Sequence, residues 1–165
     1  DVLRVFAVQG INKNFKNKTN SLKGEPLFDT NGYPGIKPPW GTLNAINLNT
    51  GKIIWKVPLG HHEELTDKFK KKTGTTNFGG ATATAGGLTF VSGTLDKIFR
   101  AFDSDTGEEL WSYKLPFIGS APPNTYMAGG EQYILIPSTG GYSLNSLYPN
   151  LVENGDAFLS FKIKN

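Results

Sequence analysis

An eleven-residue pattern occurs twice in this chain, as Ala45-Ile-Asn-Leu-Asn-Thr50-Gly51-Lys-Ile-Ile-Trp55 and as Ala101-Phe-Asp-Ser-Asp-Thr106-Gly107-Glu-Glu-Leu-Trp111, 56 residues apart. A fixed period of that size means stacked copies of one supersecondary unit, and units built as strand, turn and strand point to the blades of a β-propeller. A third, fainter echo at Asp156-Ala157-Phe158 lies a further 56 residues beyond Arg100-Ala101-Phe102. Two copies and part of a third cannot close a ring of typically about four to eight blades. The expectation is an all-β partial propeller of about two to three blades.

Each copy reads as a hairpin. Residues 41–48 and 97–103 alternate apolar with polar, and Asn-Thr-Gly or Asp-Thr-Gly then turns the chain into a second apolar strand. Gly51 and Gly107 fall where the turn needs positive φ, and Asn49 and Asp105 are expected to close it by accepting from a nearby backbone N–H. The Trp four residues after each Gly suits an indole laid over flat, glycine-containing backbone, a structural role.

The 20 glycines and 10 prolines among 165 residues fit a turn-rich all-β chain with one core. No run of eighteen apolar residues and no signal-peptide pattern is present, so nothing in these residues reads as a span or an anchor. The start at Asp1 is compatible with a mature, cut or subcloned segment. Without cysteine there are no disulfides, thiolate zinc sites or thiol catalysis. The net charge is +3, with 15 of the 17 basic residues lysine, and scarcity of the bidentate Arg fork argues against nucleic acid as a partner. The basic excess sits in Asn12 to Lys23 and in Lys68 to Lys72, read as solvated loops or a short helix.

Along the chain, residues 1–40 read as a strand, Val2 to Val8, plus a long loop, and 41–85 as the first repeat unit with a charged insertion near 60–76 that has room for one helical turn. Residues 86–141 read as the second unit, and 142–165 as a loop and a last strand, Ala157 to Ile163. Further short strands are expected at Asn77 to Ala85, Gly87 to Ser92, Thr125 to Ala128 and Gln132 to Pro137, with 139–155 a Gly/Ser/Asn loop.

No catalytic set emerges. His61, His62, Glu63 and Glu64 invite a metal hypothesis, but adjacent side chains diverge and there are no other histidines to complete a set, so they read as solvated loop and no metal ligand is assigned. The serines lack a G-x-S-x-G context, and the Gly-Gly pairs match neither a dinucleotide fingerprint nor a P-loop.

The Ala-x-x-x-x-Thr-Gly-x-x-x-Trp repeat resembles the tryptophan-docking motif of the quinoprotein alcohol and sugar dehydrogenases. Pro38-Pro39-Trp40-Gly41-Thr42-Leu43, the run Thr75 to Leu88 containing Asn77-Phe78-Gly79-Gly80, Leu115-Pro116 with Ala121 to Tyr126, and Gly130 to Ile134 occur in the order and spacing of that family's C-terminal region. The resemblance, nearest to the membrane-bound glucose-dehydrogenase-like branch, covers roughly residues 36–163.

What the resemblance implies is the C-terminal part of an eight-bladed propeller holding pyrroloquinoline quinone (PQQ) with calcium or magnesium. Such an enzyme oxidises a sugar or alcohol and passes electrons to a quinone or cytochrome in the periplasm. The family's catalytic Asp lies upstream of the matched region, so no catalytic residue is assigned and the chain alone is expected to show no turnover. Candidate cofactor contacts are Asn77, Phe78, Gly79 and Gly80, with Phe78 beside the planar quinone, and a second loop at Gly140, Gly141 and Tyr142. Tyr142 stands where the glucose branch commonly has His, which puts glucose as substrate in doubt. The partners implied are the remaining blades. Two alternatives stay open: a non-catalytic repeat module acting as a scaffold, and an open fragment whose sheet edges pair with another copy.

Overall fold

In the computed structural model the described residues are 4–9, 27–69, 71–148 and 152–163, with the backbone alone described at 4–9, Tyr142 and Ser143. The Asn12 to Lys23 stretch lies outside them. Among the described residues ten strands form three antiparallel sheets. The first holds β1 (Arg4–Gln9), β2 (Thr42–Asn47) and β3 (Lys52–Pro58), in that order. The second is a four-stranded meander of β4 (Ala81–Ala83), β5 (Leu88–Val91), β6 (Ile98–Asp103) and β7 (Glu109–Lys114). The third holds β8 (Asn124–Ala128), β9 (Glu131–Ser138) and β10 (Ala157–Lys162), with β10 at its edge. Three successive up-and-down sheets are the partial propeller that the repeat implied.

The two repeat copies fold alike. β2–β3 and β6–β7 carry the same irregularity, directly after Ala45 and after Ala101, and each pairs its Ala opposite its Trp. Gly51 and Gly107 have φ of +66° and +76°, the left-handed values expected of them. The turn-closing side chains differ from the expectation. Asn47 Oδ1 accepts from the N–H groups of Asn49 and Thr50 at 2.9 and 3.3 Å, and Asp103 Oδ1 accepts from those of Asp105 and Thr106 at 2.9 and 2.8 Å. An Asx side chain reaches the N–H two residues ahead, so the residue that opens the turn closes it, in place of Asn49 and Asp105.

The third echo also shifts register. Phe90 lies opposite Ala101 in the second sheet, and the matching position after the Gly129-Gly130 turn, Tyr133, lies opposite Lys162. Ala157 pairs instead with Ser138, so Asp156-Ala157-Phe158 is not the structural counterpart of Arg100-Ala101-Phe102. The period fails here because the connection from β9 to β10 is far longer than that from β5 to β6 and contains a helix, α2 (Tyr142–Leu147), within the stretch expected to be loop. The charged insertion does form a helical turn, a 3-10 segment Glu63–Leu65 running into α1 (Thr66–Phe69).

Side chains of neighbouring sheets make the cores. Leu43, Leu59, Val91 and Phe102, with Trp55, Val57 and Ala81, fill the space between the first and second sheets. Phe99, Leu115, Ile134 and Ile136, with Phe90, Leu159 and Phe161, fill the space between the second and third. The second sheet is covered on both faces, which explains why β6 is buried along nearly its whole length. A fully buried Phe99 contributes roughly 2–3 kcal/mol in apolar burial. Trp55 links the first two sheets directly. A Cβ on Gly107 would lie 2.7 Å from Cδ2 and Cε3 of its indole, and its Nε1 donates to the carbonyl of Ser104 at 3.1 Å. The indole over glycine backbone is thus an inter-sheet contact, between one repeat's Trp and the next repeat's turn.

Candidate functional site

The meander sorts its connections onto two ends. Tight turns 48–51, 84–87, 104–108 and 129–130 share one end. The described parts of the longer segments 59–80, 92–97, 115–123 and 139–156, and of the β1–β2 connection, gather at the other. Backbone bonds join them there: Trp40 N–H to the Thr73 carbonyl at 2.8 Å, Leu59 N–H to Gly41 at 3.0 Å, and Gly140 N–H to Ile118 at 2.9 Å. A third cluster, Ile118, Leu144, Tyr148 and Val152 with Phe28, Leu95 and Leu147, sits beneath this loop end. Loops held on a rigid scaffold are where binding and catalytic groups concentrate.

Asn77 is buried, and its side chain shapes the first predicted loop. Nδ2 donates to the Ser92 carbonyl at 2.7 Å, and Oδ1 accepts from the Gly79 N–H at 2.8 Å. Asn77 also bridges Thr94, and Phe78 N–H reaches the Gly93 carbonyl at 3.4 Å. A side chain at Gly79 would collide with the Ser92 carbonyl, and one at Gly80 would meet Pro122 Cγ at 2.6 Å. These glycines close against protein. Phe78 is left as the member of the group that turns its side chain outward, 47% exposed.

The second predicted loop is adjacent. Gly140, at φ +83°, bridges Gly119, and its carbonyl accepts from Ser120 Oγ at 2.7 Å. A Cβ on Gly119 would fall 2.9 Å from Ser92 Oγ, so the chain Asn77, Ser92, Gly119, Gly140 connects the two loops through contiguous packing. Thr76 Oγ1 adds a 2.7 Å hydrogen bond to Tyr148 Oη, at the end of α2. Burial pushes the Tyr148 hydroxyl up, with the Thr76 bond working against it. Gly141 opens α2 and accepts from Asn145 N–H at 2.7 Å, and Tyr142 is the first residue of that helix. Its side chain lies outside the described residues.

Sequence reasoning passed over Arg100 and Asp96, which form a buried ion pair behind the first loop. Arg100 Nη1 and Nη2 lie 3.2 and 2.5 Å from Asp96 Oδ1 and Oδ2, with side chains 4% and 7% exposed. Burial alone would raise the Asp96 carboxyl, but the Arg100 guanidinium, the Thr94 hydroxyl and the Ile98 N–H together hold it below the ordinary carboxylate value. Asp96 Oδ2 also accepts the His61 N–H at 2.9 Å, tying 59–62 to 92–97. A basic residue inside an otherwise apolar strand, with a carboxylate four positions before it, was the available signal.

The His61 to Glu64 stretch does not assemble as a ligand set. His61 is engaged with Thr66 Oγ1 at 2.7 Å and with Thr73 N–H at 3.1 Å, while His62 packs edge-on against Trp40 and Tyr33. Burial lowers the His62 pKa, with nearby Glu64, 3.3 Å from Nδ1, pulling the other way. Among the described residues no group of three His, Cys, Asp or Glu is placed to hold a metal ion. Phe78 leaves an exposed ring at this loop, and no cluster of three carboxylates or imidazoles stands beside it among the described residues.

The family model for the PQQ-dependent glucose/ethanol/alcohol dehydrogenase β-propeller domain matches residues 5–134. The probable quinate dehydrogenase (quinone) of Xanthomonas campestris pv. juglandis is 44% identical over 135 residues, covering 73% of this chain and 17% of the relative. The quinoprotein glucose dehydrogenase of Escherichia coli K12 is 34% identical, over 71% of this chain and 15% of its own length. Among solved structures, the quinohemoprotein alcohol dehydrogenase ADHIIG of Pseudomonas putida HK5 superposes with a TM-score of 0.55 at 26% identity, over 74% of this chain and 16% of that one. The chain therefore spans about one sixth of the length of these relatives. With three propeller-type sheets, a shared repeat and a family match over most of its length, the chain belongs to the PQQ-dependent dehydrogenase β-propeller family.

Proposed function

We propose that this chain is the C-terminal propeller segment of a PQQ-dependent sugar or alcohol dehydrogenase, and that its loop end forms one wall of the quinone pocket. The observation that carries the reading is the pairing of the family match with Phe78, an exposed ring on a loop that Asn77 and Ser92 hold rigidly. Phe78 would lie beside the planar cofactor, on a loop that Asn77, Gly79 and Gly80 fix, and Gly140, Gly141 and Tyr142 would border it. PQQ supplies the redox chemistry when bound, accepting two electrons from the substrate hydroxyl carbon. Most ligands of the calcium or magnesium ion, and the base that takes the hydroxyl proton, belong to the remaining blades, so the isolated chain is inactive. The intact enzyme delivers its electrons to a quinone or cytochrome from the periplasmic side of the membrane.

Titration of PQQ, with calcium and with magnesium, into the purified chain tests this. Saturable binding that weakens about tenfold in Phe78→Ala supports the wall. Sugar-dependent dye reduction by the chain alone overturns its inactivity. The closing of Gly79 and Gly80 against protein favours a second reading, a non-catalytic repeat scaffold built on the same sheets. Absence of PQQ binding by both the chain and the longer protein decides for the scaffold.

A further inference from the structure

Lys97 is the one residue other than glycine, among those described, whose backbone takes positive φ, at +60°. For a residue with a side chain this left-handed conformation crowds Cβ against the following carbonyl and costs free energy that glycine avoids. Two backbone bonds hold it there: Lys97 N–H donates to the Thr94 carbonyl at 3.1 Å, and the Lys97 carbonyl accepts from Leu115 N–H at 2.8 Å. Glycine would make both bonds equally well. What glycine cannot supply is the ammonium, which donates to Glu153 Oε2 at 2.8 Å, 56 residues along the chain.

Glu153 lies in the connection that leads into β10, and Lys97 in the corresponding connection that leads into β6. The two differ in size, 92–97 against 139–156, so the short connection of the second sheet reaches across to the far end of the long one of the third. The backbone at that far end seats against the second predicted loop. A Cβ on Gly140 would fall 2.4 Å from the Glu153 carbonyl oxygen and 2.9 Å from Asn154 Cα, and Gly155 N–H donates to the Thr139 carbonyl at 3.1 Å. From the other side, Gly140 N–H donates to the Ile118 carbonyl at 2.9 Å. Residues 153–155 are thus the outer support of Thr139, Gly140 and Gly141, which lead into α2.

The strength of the ion pair separates a local role from a global one. The Glu153 side chain is 71% exposed and that of Lys97 22%, and a pair so open to water shifts an equilibrium by no more than about fivefold. That is too little to hold the fold together and enough to decide how often a three-residue stretch lifts. We propose that Lys97 is a positioning residue: its ammonium clamps Glu153, keeps 153–155 seated on Gly140, and so fixes the backbone of Gly140 and Gly141 at the loop end. The strained backbone of Lys97 is what placing a cation at that point requires. The inference rests on the proposed function only in giving Gly140 and Gly141 a cofactor to face.

Lys97→Gly tests this on the whole chain, because it relieves the strain and removes the ammonium in one step. The expected result is a melting temperature equal to or above that of the native chain, with amide hydrogen exchange about threefold faster at Gly140 and Gly155. Raising the salt to about 1 M should speed the same two amides in the native chain and leave them unchanged in Lys97→Gly. Glu153→Lys should also speed them, and the double variant Lys97→Glu with Glu153→Lys should restore slow exchange, which a merely structural role of Lys97 would not do. Unchanged exchange at Gly140 and Gly155 in Lys97→Gly, or no recovery in the charge-swapped double variant, overturns the proposal. PQQ titrated into the same samples tells the two readings apart. Where the native chain binds, about threefold weaker binding by Lys97→Gly supports the positioning role and equal binding overturns it. No binding by the native chain removes the cofactor wall, and the exchange rates alone then decide the clamp.

Discussion

Arg100 and Asp96 face each other as a two-pronged ion pair sealed inside the second sheet, and the same carboxylate holds the backbone of His61. Loops 59–62 and 92–97 are therefore fastened at one charged point. Glu109 lies 3.4 Å from Arg100 Nε and 2.7 Å from Lys72 Nζ, which extends the network to the outer strand. Removing one member of such a pair strands the other charge in a dry environment.

Asp96→Ala is accordingly expected to destabilise the chain by about 3–5 kcal/mol in urea denaturation. The folded Asp96 pKa is depressed, so its contribution is present above the ordinary carboxylate value of about 3.9 and is lost as pH falls through the lower folded value. Acid titration of stability should show that loss in the native chain and a smaller one in Asp96→Asn. Equal acid profiles would refute the linkage.

Gly107 and Gly51 form a natural control. Both have positive φ, but a Cβ at Gly51 meets nothing within 4 Å, whereas one at Gly107 enters the Trp55 ring. Gly51→Ala should cost about 1 kcal/mol from backbone strain alone. Gly107→Ala should cost about 2–4 kcal/mol, the excess coming from displacing the indole. Thermal unfolding of the two variants gives the difference, and equal melting temperatures would contradict the inter-sheet lock.

Phe78 and Asn77 should separate binding from stability. Phe78→Ala removes an exposed ring and should shift stability by no more than about 0.5 kcal/mol while weakening PQQ binding. Asn77→Ala removes a buried amide that serves Ser92 and Gly79, and should cost about 1–3 kcal/mol. Parallel denaturation and cofactor titration distinguish the two outcomes.

His62 gives a pH signature of its own. Burial against Trp40 and Tyr33 lowers its pKa, so the fold favours the neutral ring. Its stabilising contribution is present above the unfolded value of about 6.5 and declines as pH falls from there through the lower folded value. Melting temperature recorded between about pH 7.5 and 5 should fall more in the native chain than in His62→Gln. Parallel curves would exclude His62 as the cause.

The repeat, its glycines and its tryptophans were legible in the residues because a hairpin's turn chemistry is local: an Asx side chain, a positive-φ glycine and alternating apolar positions act within a dozen residues. The charged helical turn near Glu63 was legible for the same reason. Less was visible where spacing had to be carried across a long connection. The Asp156-Ala157-Phe158 echo gave the wrong register because β-strand pairing, not sequence distance, fixes which residue faces which. Helix α2 escaped notice because six residues without charge in a Gly/Ser/Asn stretch are stabilised by Leu144 and Tyr148 packing against Ile118 and Phe28, not by propensity.

The sequence by itself determined the unit, its handful of obligatory turn residues and the family to which they belong. Only the tertiary structure decided what the paired glycines at 79–80 touch, that Arg100 and Asp96 meet, and that Trp55 rests on a turn 52 residues away. The reason is physical: turn geometry is set by torsions and bonds among neighbours, whereas close packing and buried charge pairing depend on distances between sheets, which no local pattern encodes.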